Sequence, residues 1–146
     1  MSKIIIVFLA VYFISFFGLS VVWRNYAVAK KTGANAFKLN KKIGAEAITG
    51  LYFKFLPLVS ILVFILYAFL PTFYQSLGPI ALINHKAFQL IGMGIMVIAL
   101  VWIVVAQSQM GASWRIGIDR DEKTEFIQKG LFRYSRNPIF VGIIFT

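Results

Sequence analysis

Between Ile4 and Val22 the chain carries no charged residue. A run of about 19 apolar residues rises about 28 Å as a helix, close to the roughly 30 Å of hydrocarbon in a bilayer. In lipid a segment must satisfy its own backbone hydrogen bonds, so such a run has one solution, a helix. Two further runs, Leu51–Tyr74 and Ala87–Ala106, are similar in length and character. Together they predict an all-α fold, a polytopic membrane helix bundle. The chain is 60% hydrophobic, against roughly 45–50% in soluble domains. Its mean hydropathy is +0.81. A secretory signal peptide has an apolar core of only about 7–15 residues. The first run is longer and ends in Trp23-Arg24, an interfacial pair, so it is read as a retained span.

The polar residues fill the gaps. The net charge of +10 sits between the spans, which argues against nucleic acid as a partner. There is no Cys, and His85 is the only histidine, so thiolate and multi-histidine metal sites are excluded. His85 itself reads as an interfacial side chain rather than a catalyst. Arg24–Gly50 reads as a basic link with a turn at Thr32-Gly33-Ala34-Asn35. Phe37, Leu39, Ile43 and Ile48 place it either along the surface as a short helix or in a solvated loop, with anionic lipid as its natural contact. Pro57 lies in the first turns of the second span, as a kink or as a proline tolerated near a helix start. Pro71 marks that span's exit. Gly92 and Gly94 suggest close helix packing in the third span, which Gln107, Ser108 and Gln109 end. From about Pro138 a fourth span begins. The expected organisation is a single membrane domain over 1–146, with spans at about 4–22, 51–74 and 87–106.

Basic residues set the expected orientation. Arg24, Lys30, Lys31, Lys38, Lys41 and Lys42 follow the first span, and Arg115, Arg120, Lys123, Lys129, Arg133 and Arg136 follow the third. Lys86 is the lone Lys or Arg between the second and third. The positive-inside rule then puts the N-terminus outside and both basic regions in the cytoplasm.

The segment Gln109–Gly142 differs from the rest. It holds Asp119, Asp121, Glu122 and Glu125, four of the five acidic residues, with Gln109, Arg115, Gln128, Arg133 and Arg136 as polar donors. Ser113-Trp114-Arg115 between Gly111 and Gly117 suggests a tight interfacial turn with an aromatic anchor. Asn137-Pro138 suits a helix start, with Asn as cap and Pro at the first position. Composition alone would make this a juxtamembrane loop whose arginines meet lipid phosphates.

The order of residues says more. Gly130-Leu-Phe-Arg-Tyr-Ser-Arg-Asn-Pro-Ile-Phe-Val-Gly142, preceded by Gly111-Ala-Ser-Trp-Arg-Ile-Gly-Ile-Asp119 and Glu122-Lys-Thr-Glu-Phe126, resembles the isoprenylcysteine carboxyl methyltransferase family, bacterial-type branch, which is related to the phospholipid methyltransferases. His in many members stands where Asn137 is, and Tyr where Phe140 is. The resemblance implies an integral membrane methyltransferase with a cytoplasmic cofactor-binding loop and S-adenosylmethionine as cofactor. It implies cofactor contacts at Thr124, Glu125, Phe126 and Ile127, at Phe132, and at Asn137, Pro138, Ile139 and Phe140, with Asp119 near a further polar contact. Arg133 or Arg136 could pair a carboxylate of cofactor or substrate in a two-pronged contact. The partners implied are a lipophilic methyl acceptor within the bilayer and membrane lipids, with no metal; the catalytic residues stay unassigned. Members of this family carry a further helical pair and a Glu-Glu element after the motif, so the chain is expected to be incomplete at its C-terminus and inactive alone. The alternatives are a phospholipid N-methyltransferase, an NADPH-dependent membrane reductase, since sterol reductases carry a similar Arg-His-Pro-x-Tyr stretch, and a non-enzymatic membrane protein.

Overall fold

The computed structural model describes residues 3–33, 45–114 and 127–146, with the side chains at 45–50, 52–54 and 82 left aside. All regular structure among the described residues is helical. Helix α1 (Lys3–Phe17) runs into a π-helical segment (Gly18–Trp23) and on into α2 (Arg24–Thr32). The result is one rod of 30 residues, about 45 Å long at about 1.5 Å per residue. The basic link expected from Arg24 therefore starts only after Thr32. Lys30 and Lys31 lie in the last turn of α2, where cations complement the helix dipole. Gly33 closes the rod in the left-handed region at φ 69°, its N–H donating to the Ala29 carbonyl. Phe37, Leu39 and Ile43 lie outside the described residues; Ile48 belongs to the next helix.

Helix α3 (Ala45–Phe69) begins ahead of Leu51, so Pro57 falls in its interior rather than near its start. Without an N–H, Pro57 cannot donate to the carbonyl one turn back. One turn on, the Ser60 hydroxyl donates to the Leu56 carbonyl at 3.0 Å. The helix ends at Phe69, because Leu70 precedes a proline and is driven out of helical geometry (φ −126°, ψ 62°). Pro71 then opens a short α4 (Pro71–Ser76). The second apolar run is thus two helices with a break, closed by an edge-on contact of the Tyr67 and Tyr74 rings at 5.1 Å.

Helix α5 (Lys86–Met110) starts on His85, whose Nδ1 accepts the Ala87 N–H at 3.3 Å. This is a capping role. Gln107, Ser108 and Gln109 lie within α5 rather than ending it. A Cβ on Gly92 or Gly94 would meet nothing within 4 Å among the described residues, so none of these packs closely on the two glycines. Its buried residues are Ala99, Ile103, Ala106 and Gln107, all in its second half.

Two cross-links orient the rods. The Gln107 side-chain amide donates to the Ser20 carbonyl at 3.0 Å, and Arg24 donates to the Gly111 carbonyl. Both link residues 87 apart in sequence, so the first rod and α5 run parallel. The ends of α2 and α5 therefore lie at the same end of the bundle. The Phe13 and Phe64 rings, 5.6 Å apart, hold α3 against α1. Lys3–Thr32 and Lys86–Ser113 are each long and apolar enough to cross a membrane. Only 11% of the most apolar window of either is buried, whereas a helix at the centre of a soluble domain is mostly covered.

Candidate functional site

The end of the bundle where α2 and α5 finish is where the motif docks. Helix α5 gives way to a 3-10 turn, Gly111–Ser113, at Gly111 (φ 54°). Trp114 follows and is 3% exposed. It packs against Val28 of α2, with Met110 and Ile139 around it. The turn expected around this tryptophan reaches Arg115–Gly117, outside the described residues; the Trp114 ring anchors the chain to α2. Arg24 lies over that ring, 5.9 Å from its centroid. Its Nη2 donates to the Gly111 carbonyl, while its Nε is shielded and has no hydrogen-bond partner among the described residues.

Ile127 is half-buried. A second 3-10 turn, Gly130–Arg133, lies against the end of α5. Gly130 has φ 61°, a region costly to residues with a Cβ. A Cβ there would also stand 2.5 Å from the Gln109 side chain. Gln109 is close because its Oε1 accepts the Leu131 N–H at 2.8 Å. Read in sequence as a ligand donor, Gln109 serves here as an acceptor that fixes the turn.

Helix α6 (Pro138–Ile144) starts as the motif predicts: the Asn137 Oδ1 accepts the Phe140 N–H at 3.4 Å, and Pro138 takes the first position. The Ser135 hydroxyl accepts the Asn137 N–H at 3.2 Å, shaping the entry. Helix α6 packs on α5 more extensively than any other two described elements pack. Pro138 is buried, and its carbonyl accepts the Trp102 indole N–H at 2.8 Å. Gly142 is buried against Ile103, whose side chain a Cβ would overlap.

The sequence-derived positions thus divide. Pro138 and Ile139 are packed into the seam between α2, α5 and α6. Phe132 is half-buried, while Arg133, Arg136, Asn137 and Phe140 are exposed. Asp119, Thr124, Glu125 and Phe126 lie outside the described residues. Trp102, Ile103, Gln107 and Arg24 carry the docking and were not singled out as part of the site. Gln107 and Arg24 had a usable signal: a polar group at the edge of an apolar run needs a partner. The π-helical segment supplies one, since widening the turn takes carbonyls such as that of Ser20 off the regular ladder.

These features define an all-helical protein, with two helices able to cross a membrane and a glycine-delimited turn-and-helix unit docked at one end. A family model described as "Protein of unknown function (DUF1295)" matches residues 1–146, and the chain belongs to that family. No match was found among curated proteins or among solved structures.

Proposed function

We propose that the chain is an integral membrane S-adenosylmethionine-dependent methyltransferase acting on the carboxylate of an isoprenylcysteine-like lipophilic acceptor. The observation that carries this reading is the division within Gly130–Gly142. Gly130, Pro138 and Gly142 are committed to α5, while Asn137 and Phe140, one turn apart, stay at the surface beside Arg133 and Arg136. A packed back and a polar-aromatic front is what a binding element needs, and the order of residues resembles the isoprenylcysteine carboxyl methyltransferases.

The described residues fit that cofactor. With the Asn137 Oδ1 engaged by Phe140, the amide nitrogen is the part left for a ligand. Phe132 and Phe140 offer apolar surface for adenine. Arg133 or Arg136 would take a carboxylate in a two-pronged contact. Ile127, with Asp119, Thr124, Glu125 and Phe126, would complete the contacts from the preceding stretch, and Pro138 and Ile139 would contribute backbone. When bound, the cofactor supplies a methyl group on a sulfonium. The acceptor carboxylate is already ionised near neutral pH, so the chain's task is alignment and exclusion of water, with no general base. An amine acceptor would first have to lose a proton, which makes phospholipid N-methylation the second reading and NADPH-dependent reduction a third. The parallel rods support a cytoplasmic site with the N-terminus outside, because they bring Lys30 and Lys31 to the end where the Gly130–Arg133 turn lies.

The test is calorimetry on the full-length protein in nanodiscs. S-adenosylmethionine binding that weakens at least about tenfold in Asn137→Ala, beyond the roughly 1 kcal/mol a lost cap costs in stability, supports the proposal. Binding of NADPH without S-adenosylmethionine moves the assignment to a reductase. Binding of neither leaves the non-enzymatic reading.

A further inference from the structure

We infer that the end of the bundle formed by α2, the Gly130 turn and α6 is a collar for anionic lipid headgroups. This rests on insertion of the two long helices in a bilayer and not on the methyltransferase reading. Three observations carry it. First, the charge asymmetry is steep. Among the described residues, Arg24, Lys30, Lys31, Lys129, Arg133 and Arg136 belong to this end, against Lys3, His85 and Lys86 at the other. Second, Lys30, Lys31, Lys129, Arg133 and Arg136 are exposed. Third, an aromatic layer lies below the lysines of α2. Trp23 is 60% and Tyr26 58% exposed, with ring centroids 6.4 Å apart. Above an outward apolar face that includes Ile14 (74%) and Val22 (66%), these rings sit where amphipathic side chains meet the headgroup layer.

The occupant must be anionic, phosphate-bearing and anchored in the bilayer, because the cations stand directly beyond the aromatic layer. An anionic phospholipid meets all three demands. Lysines suit such a partner, being flexible point charges that follow a mobile headgroup. Each basic side chain near an anionic surface favours association by up to about fivefold.

Trp23 is a built-in reporter, since Trp114 is buried and Trp102 is half-buried at the α5–α6 seam. The full chain is reconstituted in vesicles containing phosphatidylglycerol or phosphatidylcholine brominated near the headgroup end of the acyl chains. A Trp23→Phe chain supplies the background. At low salt the anionic lipid is expected to quench Trp23 at a several-fold lower mole fraction than the zwitterionic one, with the preference fading as salt screens it. Lys30→Gln/Lys31→Gln/Lys129→Gln is expected to weaken the preference several-fold, and Lys3→Gln/Lys86→Gln to keep it. Should the triple variant not fold, the salt titration and the Lys3/Lys86 control still decide. Equal quenching by both lipids at low salt overturns the inference, as does a preference the triple variant retains undiminished. No quenching by either lipid overturns it through the insertion on which it rests.

Discussion

Gly142→Ala tests the docking of α6 most directly. Two effects of opposite sign meet at this position. Within a helix, alanine is favoured over glycine by about 1 kcal/mol. Against this, the new methyl would overlap the Ile103 side chain and stand 3.1 Å from Trp102 Cδ1. Overpacking of this kind costs about 1–3 kcal/mol. The upper part of that range applies, because Ile103 is 1% exposed and, being β-branched within a helix, is held to one preferred χ1. Gly142→Ala should therefore destabilise by about 1–2 kcal/mol net. The decisive comparison is the same change made in an Ile103→Ala chain. Ile103→Ala alone should cost about 2–5 kcal/mol. In the space it opens, the clash disappears and only helix propensity remains, so Gly142→Ala should turn neutral or stabilising by up to about 1 kcal/mol. Unfolding in mixed micelles with increasing dodecyl sulfate, followed by far-ultraviolet circular dichroism and tryptophan emission, measures all four chains. Trp102 lies in the seam and reports its opening. An equal penalty in both backgrounds, or no penalty in the first, would refute the packing argument.

Other contacts in the docked unit make similar demands. Gln109→Ala leaves the Leu131 N–H without its acceptor, at a cost of about 1–2 kcal/mol; hydrogen exchange at Leu131 should quicken at least about tenfold while exchange in the middle of α5 is unchanged. Gly130→Ala should cost about 2–3 kcal/mol, part from φ 61° and part from displacing Gln109. In a Gln109→Ala chain only the backbone part should remain, as a double-mutant cycle would read. Gln107→Leu removes the donor to the Ser20 carbonyl and should lower the micelle unfolding midpoint by the equivalent of about 1–3 kcal/mol.

The helices were legible because apolar run length is a strong constraint in lipid, and the start of α6 because Asn-Pro is a local signal. The extent of the first rod was not. Charge at Arg24 looks like a boundary, yet a helix continues past the hydrocarbon wherever its backbone can, and here it stops at Gly33. Pro57 misled in the same way, since Glu46 and Lys54 hid the true start of α3. The site was half legible. A resemblance picks out Gly130, Pro138 and Gly142 but does not say that each answers to a partner far along the chain. Trp102 and Ile103 belong to a run whose hydropathy is nearly uniform, and Gln109 stands in its polar end, so nothing local marks which face of α5 receives the motif. The π-helical segment is a tertiary effect as well, tied to a glutamine that only becomes a neighbour once the rods lie parallel.

The two layers of the motif make its contributions to binding separable. Residues that dock on α5 should act on any ligand through the population of the docked state. Their variants should lose stability and affinity together, and both should recover in a chain that relieves the clash. On the outer layer the Arg133 and Arg136 side chains are exposed, so their alanine variants should shift affinity at unchanged stability. Asn137 belongs to both layers: its oxygen caps α6 while its nitrogen is left for a ligand. Asn137→Asp distinguishes the two roles. Aspartate keeps the acceptor that the Phe140 N–H needs and caps a helix as well as asparagine, but it replaces the amide donor with a charged acceptor. If the outer layer is the binding face, Asn137→Asp should unfold within about 0.5 kcal/mol of the parent chain and still bind S-adenosylmethionine at least about tenfold more weakly, a difference of about 1.4 kcal/mol. Equal affinity for the two chains would place the ligand elsewhere and leave Gly130–Gly142 as a purely structural clasp.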